Sequence, residues 1–199
     1  SSAETHSIVD SMLKKKGINK YIIFHPSAQY LYKIYPKHLR DRFLFLLNSL
    51  DVPILITGTN NQIDLNIKNE LPSLPNIYDF IGETSLEEYI ALSQTSLAYI
   101  GMDTLNMHIA ASQSKRIFAI FGPTNLSMWS PWSNKLKTGS IKNSPLQTYD
   151  NVTIFQASFP CVSCGKAGCN NNGRSECLYV IKPEKIFNEV SYWYKNVSI

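Results

Sequence analysis

Residues 96–132, SLAYIGMDTLNMHIAASQSKRIFAIFGPTNLSMWSPW, read as strand, turn, helix, strand, with polar residues confined to the turns. Residues 97–100 are a short apolar run of buried-strand type. Asp103 falls where a helix N-cap is expected, Thr104 and Asn106 follow in the first turn, and Ile109, Ala110 and Ala111 supply the apolar face. The helix is predicted to end near Gln113. Residues 117–121 form a second strand, closed by the abrupt turn Gly122-Pro123-Thr124. Such a unit sets the free N–H groups and positive dipole end of a helix beside a strand terminus, which suits a phosphate or another anion.

With 199 residues, 44% of them hydrophobic, the chain can bury a real core, and its length favours one domain, or at most two small ones. No apolar run approaches the ~18 residues of a membrane helix, and SSAETHSIVDSMLKKKGI lacks the apolar centre of a signal peptide. A soluble protein inside a cell is therefore expected. The formal charge of +4 favours anionic ligands mildly. Charged residues make up only 17% and are scattered, so no nucleic-acid-binding surface is expected. Lys14-Lys15-Lys16 reads as a solvated helix end.

Working outward, residues 5–17 read as a helix with Ile8, Val9, Met12 and Leu13 on one side and Gly17 past its end. Strand 21–24 leads through His25-Pro26-Ser27 and a polar, aromatic loop into helix 37–50. Strand 53–57 precedes helix 62–69, and strand 76–81 precedes helix 84–93, where Ser85 and Glu88 have capping-box spacing. Residues 152–156 are a sixth strand. Residues 183–196 are a closing helix with Ile186, Val190, Tyr192 and Trp193 turned inward.

Strands alternating with helices in this way predict an α/β fold, a doubly wound parallel sheet with helices on both faces. In the common strand order 3-2-1-4-5-6, ligands bind outside the carboxyl ends of strands one and four, at the switch point. Those ends are residues 25–33 and 101–108, two polar strand exits far apart in sequence that would face one crevice. Read alone, Asp103 is a helix cap; at the switch point it is a ligand contact. His108 lies four residues after Thr104 on the same helix face, near a bound phosphate or sugar hydroxyl, although a histidine there is as readily a core residue. Lys33 follows a loop long enough to fold over the crevice and neutralise a diphosphate. Neither G-x-G-x-x-G nor G-x-x-x-x-G-K-[ST] occurs, so a dinucleotide site of the usual kind and a P-loop are unsupported.

Cys161, Cys164, Cys169 and Cys177 are the four cysteines, in PCVSCGKAGCNNNGRSEC. Thiolates this close could hold a structural zinc ion, and the alternative is four free thiols in a loop; a reducing compartment argues against disulfides.

At D-T-x-x-M-H-I-A-A, followed by F-G-P-T and W-x-P, the chain resembles glycosyltransferase family 9, the ADP-heptose:lipopolysaccharide heptosyltransferases. HPSAQYLYKIYP, ILITGT and FIGETSLEEYIALSQTSLAYIGMDT extend the resemblance over most of the chain. It implies the C-terminal, donor-binding half of a GT-B enzyme: one Rossmann-like domain over residues 1–199, with a cysteine-rich loop at 160–178. The implied activity is inverting transfer of a heptose or similar sugar from a nucleotide diphosphate to the lipopolysaccharide core, with no metal required for catalysis. The setting implied is the bacterial cytoplasm, with room for peripheral contact with the inner membrane. The acceptor would be held by an N-terminal domain that also carries the general base; a non-catalytic sugar-nucleotide-binding module is the alternative. By position, Lys33 neutralises the diphosphate, Asp103 contacts the sugar, and Thr104, Leu105 and His108 belong to the phosphate-binding helix start. Ser27, Thr57 and Gln62 complete the implied donor site. Two departures stand out: Leu105 replaces a usual Gly, and Gln62 replaces a carboxylate near the ribose.

Overall fold

A computed structural model describes residues 1–140 and 142–197. Seven strands form one sheet: β1 (Ile22–His25), β2 (Ile54–Gly58), β3 (Ile77–Ile81), β4 (Ala98–Met102), β5 (Arg116–Ile120), β6 (Leu146–Tyr149) and β7 (Val152–Phe155). Their order is β3-β2-β1-β4-β5-β7-β6, and only β6 runs antiparallel to its neighbour. The strand expected at 152–156 occupies the sixth place. β6, a short edge strand, is additional; its sequence LQTY lacks an apolar alternation that would announce it.

The helices are α1 (Ala3–Lys15), α2 (Lys37–Leu47), α3 (Gln62–Asn69), α4 (Leu86–Thr95), α5 (Leu105–Ser112), α6 (Leu126–Trp129), α7 (Glu176–Tyr179) and α8 (Pro183–Asn196). Strand residues alternate between the two faces. Ile22, Phe24, Ile56, Ile100 and Phe118 pack with Phe43 and Leu47 of α2 and Ile186 and Val190 of α8. Ile23, Leu55, Tyr99 and Ile117 pack with Val9 and Leu13 of α1, Leu92 of α4 and Met107 of α5. Burial on both faces is why the central strands are apolar throughout.

Local signals set the helix ends. Gly17 takes φ +68°, and the N–H groups of Gly17 and Ile18 return to the carbonyls of Lys14 and Leu13, closing α1 in a Schellman motif. The Ser85–Glu88 capping box is formed in full. α2 stops at Leu47, three residues before the predicted end, although Leu50 is still buried. Two inward assignments are corrected: Ile8 and Tyr192 are exposed, while Val9, Leu13, Ile186 and Val190 fill the apolar stripes and Trp193 packs edge-on against Phe118. Adjacent residues on a helix lie about 100° apart, so a narrow stripe does not hold both Tyr192 and Trp193.

Candidate functional site

The reversal in strand order lies between β1 and β4, which pair in register with His25 opposite Gly101. Gly101 is required there: a Cβ would stand 2.5 Å from the His25 carbonyl oxygen and 2.6 Å from the Tyr99 hydroxyl. The chain leaves β1 through a loop with a 3-10 turn at Leu31–Lys33, which returns the Lys33 side chain across the crevice. Its ammonium donates to Asp103 Oδ2 at 2.8 Å, with the lysine side chain 20% and the carboxylate 5% exposed.

Asp103 is therefore not the helix cap. The N-cap of α5 is Thr104, one residue on, and its side chain makes no capping hydrogen bond. Ser2, Asn61, Ser85 and Asn125 each accept a first-turn N–H at their own helices. At α5 the cap side chain does not do this: the Met107 N–H turns back to the Thr104 carbonyl at 3.2 Å, and the positive dipole end of the helix lies beside the Lys33–Asp103 pair. His108 sits half-buried one turn along. Burial lowers its pKa, the Asp103 charge opposes that shift, and the Lys33 charge adds to it, which places all three groups in one electrostatic environment. Leu105 is 59% exposed, so its side chain leans into solvent at the helix mouth.

Other sequence-predicted residues lie behind the crevice. Ser27 is buried and gives its hydroxyl proton to Asp64 Oδ1, and Thr57 is buried against His25 with Oγ1 3.0 Å from Nδ1. Gln62 begins α3 and donates to Asn66 at 2.8 Å on the surface. Ser27 and Thr57 are thus buried and Gln62 lies on the surface, whereas Lys33 and Asp103 meet beside Thr104 and within the electrostatic reach of His108.

Residues absent from the sequence-based list hold this arrangement together. Asp64 is buried and accepts from Ser27, from the Thr59 backbone N–H at 2.6 Å, from Thr59 Oγ1 at 2.9 Å and from Asn61 Nδ2 at 2.9 Å. One carboxylate thereby ties the loop after β1 to the loop after β2. Its signal was present: Asn61-x-x-Asp64 is an N-cap followed three residues later by an acid, and the Asp64 N–H does bond Asn61 Oδ1. His25 is fully enclosed, and burial depresses its pKa to about 4 against the opposing pull of Asp64. Its Nδ1 also lies 3.3 Å from Asn106 Nδ2, a donor, so a neutral ring with Nδ1 accepting fits both neighbours. Asn106 thereby pins the first turn of α5 to the end of β1.

The cysteine-rich segment packs behind the site. Ser175 Oγ donates to the Tyr32 carbonyl at 2.6 Å, one residue from Lys33, and the Gly165 N–H donates to the Pro123 carbonyl at 2.9 Å in the turn after β5. Cys161 and Cys164 are exposed and Cys177 is buried, its thiol pushed up to about 11 by burial and further by the three neighbouring cysteines. The donor chemistry suits zinc. Among the described residues, though, no three His, Cys, Asp or Glu side chains are drawn together as ligands. No described helix is long and apolar enough to cross a membrane.

The fold recurs in solved glycosyltransferases. It superimposes on a glycosyl transferase family 9 protein from Veillonella parvula with a TM-score of 0.71 at 16% identity, covering 98% of this chain and 53% of that one. For Escherichia coli ADP-heptose LPS heptosyltransferase II the values are 0.68 and 17%, with 96% and 51% coverage. In sequence, Escherichia coli lipopolysaccharide heptosyltransferase 3 is 25% identical over 119 residues, 58% of this chain and 35% of that protein. The chain thus spans about half the length of these solved relatives. The family model for glycosyltransferase family 9 (heptosyltransferase) matches residues 3–158, and with the switch-point geometry above it shows that the chain belongs to that family.

Proposed function

We propose that the chain is the donor-binding half of an inverting heptosyltransferase, holding a nucleotide-diphosphate sugar, ADP-heptose or a near relative, for transfer to the lipopolysaccharide core. The observation that carries this reading is the Lys33–Asp103 pair at 2.8 Å beside the uncapped start of α5. As the anomeric bond breaks, negative charge gathers on the leaving diphosphate. A cation and oriented N–H groups fixed beforehand stabilise that charge more than the ground state. Asp103 holds the Lys33 ammonium in place and presents a carboxylate to a sugar hydroxyl. His108, kept neutral by burial, offers a hydrogen bond without a competing charge. In this proposal the diphosphate charge is met without a metal ion.

In this proposal Asp103 is committed to Lys33, and neutral His108 serves the donor side as a hydrogen-bond partner. Deprotonation of the acceptor is therefore assigned to a separate N-terminal acceptor domain, working in the bacterial cytoplasm at the inner-membrane face. A second reading, a sugar-nucleotide-binding module without turnover, rests on the same donor-site geometry. Calorimetry with ADP, UDP and GDP tests the shared core of both: ADP is expected to bind, and no heat with any of the three removes the donor-site assignment. A structural zinc on Cys161, Cys164, Cys169 and Cys177 is a separate proposal, supported by donor type and by the effect of the other three thiols on Cys177, and requires the loop to draw them together.

A further inference from the structure

The loops at the carboxyl edge follow the order of the sheet. The loop after β2 carries Asn61 and Gln62, the loop after β1 carries Lys33, the loop after β4 carries Asp103, and the segment after β5 leads into α6. A diphosphate centred over Lys33 and the start of α5 must send its two substituents to opposite sides. In doubly wound sheets the ribose goes toward the end of β2. The sugar then extends toward β5.

On that side stands Trp129, the last residue of α6, 46% exposed, with its ring centroid 5.9 Å from Lys33 Nζ. The segment that carries it is braced at its start. Leu126 is fully buried, the Asn125 side chain accepts the Ser127 N–H at 3.0 Å, and the Pro123 carbonyl accepts from Gly165. A large indole left half in solvent on a braced turn, with the site lysine 5.9 Å from its ring centroid, keeps apolar surface available to a ligand rather than to the core.

We propose that Trp129 is the sugar-facing wall of the donor site. Its indole stacks on the C–H face of the transferred sugar ring while Lys33 holds the diphosphate and Asp103 takes a sugar hydroxyl. This rests on the donor-site reading above and adds to it the residue that distinguishes a glycosylated nucleotide from the bare one.

The test compares ADP with ADP-heptose by calorimetry on the 199-residue chain. Trp129→Ala is expected to weaken ADP-heptose about tenfold while leaving ADP within about twofold, and Trp129→Phe, which keeps a ring, is expected to recover most of the loss. In a Trp132→Phe background, ADP-heptose but not ADP should quench indole fluorescence. Equal weakening of both ligands in Trp129→Ala, or of neither, overturns the assignment of Trp129 while leaving the donor site standing. If the wild-type chain binds neither ligand, the donor-site reading falls and this inference falls with it.

Discussion

Lys33 Nζ and Asp103 Oδ2 meet at 2.8 Å across the point where the strand order reverses, joining residues 70 positions apart. The carboxylate is nearly buried, whereas the ammonium retains an open side toward the crevice. Removing the cation alone strands the anion. Lys33→Met is expected to destabilise the fold by roughly 1–3 kcal/mol, below the figure for a fully buried pair because the lysine is partly solvated. Lys33→Met with Asp103→Asn should restore most of that loss. Urea unfolding of the three variants measures it, and additive losses would show that the pair is not coupled.

His25 makes the fold acid-sensitive. Its pKa is about 4 in the folded chain, against about 6.5 for an exposed histidine. Between those values the unfolded chain binds the extra proton, so stability is full above pH ~6.5 and declines as the pH falls toward 4. The loss from this one group is at most about 3 kcal/mol by pH 4. His25→Gln should flatten that part of the stability profile, and an unchanged slope would mean that another group is responsible.

Asp64 is expected to control the order of two loops at once. Asp64→Ala leaves Ser27, Thr59 and Asn61 without their shared acceptor and should cost on the order of 3 kcal/mol. Hydrogen exchange should quicken in both 27–33 and 59–62. Faster exchange in only one of these segments would show that the carboxylate does not link them.

The architecture was legible because its signals are local. Apolar four- and five-residue strands, Gly17, the Ser85–Glu88 box and Pro183 at the first turn of α8 each act within a few residues. The switch point followed from strand order, and it brought Lys33 and Asp103 together as read. What escaped depends on tertiary placement. Ser27 and Gln62 are both neutral hydrogen-bonding side chains, and only the packed loops show that one is buried on Asp64 and the other on the surface. Trp129 passed as part of W-x-P because nothing in sequence places it over a lysine 96 positions earlier. β6 was missed although Asp150, with φ +49°, turns the chain back between it and β7.

The cysteine loop touches the Lys33 loop through Ser175 and Tyr32, so its state should be felt at the proposed donor site. Under the zinc proposal, metal analysis of purified protein gives close to one equivalent, and a chelator speeds exchange in 160–178 and in 30–33. A metal-free protein with four titratable thiols and unchanged exchange contradicts it.

The most direct test of the central claim is calorimetric titration of ADP into the wild-type chain, Lys33→Ala and Lys37→Ala. Lys37 lies on the exposed surface of α2 paired with Asp41, four residues away from Lys33 in sequence but outside the crevice, and serves as the control. If Lys33 and the start of α5 hold the diphosphate, Lys33→Ala weakens ADP by about ten- to a hundredfold, the range of one charge-assisted hydrogen bond, and Lys37→Ala leaves it unchanged. ADP affinity that is the same in Lys33→Ala as in the wild type would show that the loop after β1 does not deliver its cation to the diphosphate, and would contradict the account.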